Sequence, residues 1–171
     1  MKTKYSLAGI MLALFSNMSG ADMSVAHEYT TQYVFMTNLL GNATDTYPAR
    51  TQTPIKVDVY QGNNICYTVP YISFGDQYTF KASPYNPACL YMSRLVITPL
   101  KVGNLQVYDP ATLMVAIAGS PVTRTQVTVI QKPSSQEGTG NAPVFNSDGT
   151  VTPGVADYQL GSAFSALDNN D

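Results

Sequence analysis

The chain has no tryptophan, one histidine and two cysteines, and only 12% of its 171 residues are charged. Each scarcity removes a class of function. Nucleophile–base catalysis needs a base held in register, and the lone His27 falls at the start of the mature chain or a few residues inside it, where a side chain is poorly held. A zinc centre needs three or four His, Cys or carboxylate ligands, and one His with two cysteines of an exported chain does not make one. No metal and no cofactor are expected. The G-x-S-x-G elbow, the H-E-x-x-H helix, the phosphate-binding loop and the dinucleotide glycine fingerprint are all missing. Basic residues are few and form no stripe, so the electrostatic term that dominates nucleic-acid binding is absent.

What is present starts with an address. Lys2 and Lys4 precede an apolar run from Ser6 to Phe15, and small residues (Ser19-Gly20-Ala21) follow. This is the layout of a secretory signal, with an apolar stretch too short for a stable membrane span. Cleavage is expected after Ala21, with Ala26 as the second candidate site. The mature chain is therefore predicted to be secreted or periplasmic, without a membrane span. At about 150 residues, it is long enough to bury roughly 68–70% of its unfolded surface in one domain. In an exported chain Cys66 and Cys89 are predicted to form a disulfide.

Residues 22–133 are predicted to form an antiparallel β-sandwich of the immunoglobulin-like or jelly-roll-like class, with no family assigned. Ile55, Val57 and Val59 alternate with Lys56, Asp58 and Tyr60, the period of a half-buried strand. The cluster Gln61-Gly62-Asn63-Asn64 separates this run from Ile65, Tyr67 and Val69, which predicts a hairpin. Further strands are expected around 77–82, 91–98, 104–108, 112–118 and 122–130, with prolines falling mostly between them. Without Trp, and with its cysteines close in sequence, the chain lacks the antibody-domain hallmark. In 29–40, Tyr29, Thr31, Tyr33, Phe35 and Leu39 share one face, as in a strand donated to another chain.

Residues 134–171 carry five acids and no Lys or Arg. They start with a Ser/Gln/Gly/Thr/Asn linker and are predicted to form a flexible, separable tail. Within it, Asn146-Ser147-Asp148-Gly149 predicts a hairpin turn, and Asp157 could cap a short helix carrying Leu160, Phe164 and Leu167.

Paired carboxylates would suit glycoside hydrolysis, and the body offers Asp58, Asp76 and Asp109. Asp58 sits on the polar side of a strand, and the other two lie in turn sequences where Asp serves the backbone. Tyrosine carries the functional signal. Tyr71, Tyr85 and Tyr91 flank Pro- and Asn-containing turns, where rigid amphipathic rings make low-entropy contact surfaces. The expectation is a non-enzymatic subunit that binds another protein or a glycan, self-assembly included. The alternatives are a small carboxylate-dependent hydrolase and a β-barrel carrier of a small apolar ligand.

Overall fold

The computed structural model describes residues 30–41, 52–115, 122–132 and 142–160. Both signal cleavage positions, His27, the linker after Lys132, and Phe164 and Leu167 lie outside them, as does the second half of the strand expected at 112–118.

The described residues form an all-β fold. Its strands are β1 (Thr31–Asn38), β2 (Ile55–Gln61), β3 (Asn64–Ile72), β4 (Gln77–Ala82), β5 (Arg94–Pro99), β6 (Tyr108–Asp109), β7 (Ala111–Met114), β8 (Val122–Gln131), β9 (Val144–Phe145), β10 (Val151–Thr152) and β11 (Gly154–Leu160). A five-stranded sheet of order β4-β1-β8-β11-β6 accompanies a four-stranded sheet of order β3-β2-β5-β7. The four-stranded sheet is antiparallel throughout, whereas the five-stranded one is mixed: β1 runs parallel to β8, and β11 parallel to β6.

Alternation along each strand sets the core. Val34, Met36 and Phe80 from one sheet bury fully, as do Ile55, Val57, Val59, Leu95 and Ile97 from the other. Each such side chain contributes about 1.5–3 kcal/mol relative to exposure, so a single disulfide is worth only one or two of them. The predicted β2–β3 hairpin is present. Gly62 (φ 59°) takes the left-handed conformation that its two-residue turn requires.

Two sides of the sandwich are closed differently. On one, β3 passes into β4 through a turn in which Gly75 (φ 88°) donates its N–H to the Asn38 carbonyl at 2.7 Å. On the other, Pro110 separates β6 from β7, so one extended segment leaves the five-stranded sheet and joins the four-stranded one. Pro lacks the N–H that a continuous ladder would need at that point. The exposed edge of β3 carries Pro70, which blunts it against pairing with another chain.

Three expectations are corrected. The segment around Asp157 is a strand, not a helix: β11 pairs with β8 from Ala156↔Gln131 to Leu160↔Val127. The hydrogen-bond row that β8 offers outweighs a weak helical stripe that Gly161 would have interrupted. The sandwich therefore continues beyond residue 133, because β11 occupies an interior position of the five-stranded sheet. Finally, β1 is an interior strand of its own chain, and the face it turns inward is Gln32, Val34, Met36 and Asn38 rather than the Tyr33/Phe35 face. The predicted hairpin within 144–152 is present as β9–β10.

Candidate binding surface

The connection from β4 to β5, residues 83–93, is irregular in backbone but tied at many points. Cys89 is bonded to Cys66 on β3, with the Cα atoms 5.1 Å apart. Gln32, fully buried on β1, donates its amide to the Met92 carbonyl (3.1 Å) and accepts from the Met92 N–H (2.6 Å). Leu90 N–H donates to Gln61 Oε1 at 2.9 Å. Within the loop, Asn86 N–H donates to the Ser83 carbonyl, Cys89 N–H to the Asn86 carbonyl, and Ser83 N–H to the Cys89 carbonyl, at 2.8–3.1 Å. Pro84 and Pro87 fix two further φ angles. A segment this constrained loses little entropy when it meets a partner.

The ring at its tip is the most exposed large hydrophobic side chain of the described residues: Tyr85 is 84% accessible. Tyr91 is half-buried beside the β2–β3 turn, its hydroxyl 3.8 Å from where a Cβ on Gly62 would stand. Tyr71 is also exposed, at 59%, but it lies five residues along β3 from Cys66, about 17 Å at the rise of a strand. The structure thus brings Tyr85 and Tyr91 to one end of the sandwich and leaves Tyr71 toward the other.

Residues that the sequence did not single out for binding complete that end. In register across the four-stranded sheet stand Ile65, Tyr60, Arg94 and Met114. The Arg94 guanidinium lies 4.1 Å from the Tyr60 ring centroid, a cation–π contact that fixes both groups. Ile65 and Met114, at the two ends of this row, are 53% and 67% exposed, and Leu90 on the loop is 39% exposed. Nothing in the local sequence marks these four as neighbours, because they come from four strands whose register only the folded sheet defines.

The three body carboxylates stand in different settings. Asp58 accepts from Thr68 Oγ1 at 2.5 Å and pairs with Lys56 Nζ at 2.8 Å. Burial pushes its pKa up, but the hydrogen bonds from Lys56 and Thr68 and the lysine charge outweigh this and leave it below the usual carboxylate value. That side chain is an ionised acceptor, not a proton donor. Asp76 lies in the β3–β4 turn and Asp109 on β6 of the other sheet, both exposed. Asp148 accepts from the N–H and hydroxyl of Thr150 (2.9 and 2.6 Å), hydrogen bonds that lower its pKa and hold the β9–β10 turn. No group of three His, Cys, Asp or Glu among the described residues is arranged to hold a metal. A cavity of about 340 Å³ beside Phe145 is lined by Val102, Leu105, Val107 and two glycines, without a titratable group.

No family model matches the chain, and no curated protein matches it. Among solved structures, an NMR structure of a protein from Eubacterium rectale aligns at 12% identity and a TM-score of 0.36, over 79% of this chain and 92% of that one. A likeness that loose carries neither fold nor function across.

Proposed function

We propose that the protein is an exported, non-enzymatic binding subunit that meets a protein partner, another copy of itself included, through the end of the sandwich built around residues 83–93. One observation carries this reading: a loop held by a disulfide and by Gln32 and Gln61 presents Tyr85 almost wholly to solvent. The fold gains nothing from such a ring, whereas a partner gains a large amphipathic contact with only two torsions to fix. Tyr91, Leu90 and the row from Ile65 to Met114 extend the surface, and Tyr with Arg is the composition from which interface hot spots are drawn. The disulfide and the predicted signal support an extracytoplasmic location. The engaged state of Asp58 and the separation of Asp76 from Asp109 favour binding over hydrolysis.

Site-specific photo-crosslinking in exporting cells tests the proposal. A photoreactive residue at position 85 is expected to trap a discrete higher-mass species, and the same residue at position 76, on the far turn, is not. Absence of trapping at 85, or equal trapping at both, contradicts the reading.

A further inference from the structure

The outward face of the five-stranded sheet carries a second, chemically different surface. On β1, the Tyr33 and Phe35 rings stand 6.1 Å apart with their planes 9° from parallel. Register places Lys81 of β4 and Arg124 of β8 on either side of Tyr33, and Thr79 and Gln126 on either side of Phe35. The Lys81 ammonium lies 5.5 Å from the Tyr33 ring centroid and the Arg124 guanidinium 5.9 Å. Neither cation has an ion-pair partner among the described residues. The Arg124 Nε is withdrawn from solvent and has no hydrogen-bond acceptor. A guanidinium with neither a compensating charge nor a full set of acceptors favours an anion brought close to it.

Further along β1 the same face dips. A cavity of about 260 Å³ opens against Phe35 and Thr37, flanked by Gln77 and Thr79 on one side and Gln126 and Thr128 on the other. Its polar groups are uncharged amides and hydroxyls, each able both to donate and to accept. Phe35 and Tyr33 are two residues apart on one strand, about 7 Å, which is comparable with one sugar unit.

We propose that this face binds an acidic oligosaccharide. A sugar ring sits in the dip against Phe35, its hydroxyls bonded to Gln77, Gln126 and Thr128. The carboxylate or sulfate of the adjoining unit lies at Lys81 and Arg124. An acidic peptide is the lesser match, because an extended peptide gains its main-chain bonds at a sheet edge, and the backbone of β1 is already paired on both sides. The inference rests on the protein's being a binding module but not on the 83–93 loop, so the two surfaces fail separately.

The test is titration of the isotopically labelled mature protein, by NMR and calorimetry, with a hexagalacturonate and a heparin-derived hexasaccharide. Maltohexaose serves as the neutral probe, and a peptide with the sequence of residues 161–171 as the acidic one. At least one acidic oligosaccharide should shift the amides of residues 33–37, 79–81 and 124–128, with affinity falling as salt rises. Lys81→Gln, and separately Arg124→Gln, should each weaken it about tenfold, the loss of one charged hydrogen bond. Tyr85→Ala should bind as the parent does. Lack of binding by both acidic oligosaccharides at about millimolar concentration overturns the proposal, as does undiminished binding by a folded Lys81→Gln variant. Peptide binding at these residues in place of sugar binding overturns it too. A failure here with crosslinking at 85 intact leaves the loop surface standing.

Discussion

Replacing Gln32 by Met removes the clamp between β1 and the 83–93 loop while nearly preserving volume. Gln32 is fully buried, and its two bonds to Met92 are the side-chain partners of that residue's N–H and carbonyl. Removing them strands a donor and an acceptor beside a residue that is itself 0% exposed. Each buried polar group left unpaired costs about 1–3 kcal/mol, so the pair costs about 2–6 kcal/mol. A volume-conserving swap adds less than about 1.5 kcal/mol of packing cost. In a chain of this size 1 kcal/mol moves the melting temperature by about 2–4 °C, so a fall of about 4–24 °C is expected. Thermal unfolding under non-reducing conditions reads it, with Thr31→Ala on the same strand as a control and faster amide exchange at Met92 as the local signature. A Gln32→Met protein within about 0.5 kcal/mol of the parent would refute the view that this glutamine holds the loop.

Replacing both cysteines with alanine should cost about 3 kcal/mol, from the entropy of closing a loop with a separation of 23 residues, and denaturant unfolding against the oxidised parent measures it. Ending the chain before Gly154 removes β11 from the interior of its sheet and should leave a chain without a cooperative melting transition; a truncated protein that melts like the parent contradicts the topology. Because the Asp58 pKa lies below its ordinary 3.8, its contribution to stability is present above that value and lost as pH falls through the lower, folded-state one. Asp58→Asn should accordingly flatten the acid limb of the stability–pH curve, and an unchanged limb would contradict the Lys56–Asp58–Thr68 arrangement. Tyr85→Ala should leave the melting temperature within about 2 °C, since surface substitutions shift stability by about 0.5 kcal/mol or less; a steep fall would make Tyr85 a structural residue.

The strands of the body were legible where apolar and polar residues alternate, as in Ile55–Val59 and Val127–Val129, and where turn chemistry punctuates them at Gly62 and Asp148. The disulfide was legible from the predicted export signal and the cysteine count. Parallel pairing of β1 with β8 was not, because side-chain alternation reports a face and not a neighbour. The burial of Gln32 and Asn38 was not legible for a related reason: each is polar yet buried, since its amide bonds to the backbone of a distant segment, Met92 for one and Thr53 and Ile72 for the other. β11 was misread because Leu160 fits a helical period as well as a strand, and only an unfilled edge of β8 decides between them. Tyr85 and Tyr91 stood out as rings beside turns. Their separation from Tyr71, and the company of Ile65, Arg94 and Met114, depend on a register that no local pattern encodes.

The central claim is that residues 83–93 form a preorganised contact surface, and backbone ¹⁵N relaxation of the oxidised protein tests it most directly. The loop amides, that of Tyr85 included, should show order parameters near those of the strands, about 0.85, while the Tyr85 ring stays open to solvent. Order parameters below about 0.6 through the loop would mean that the disulfide and the two glutamines do not hold it, and would contradict the account.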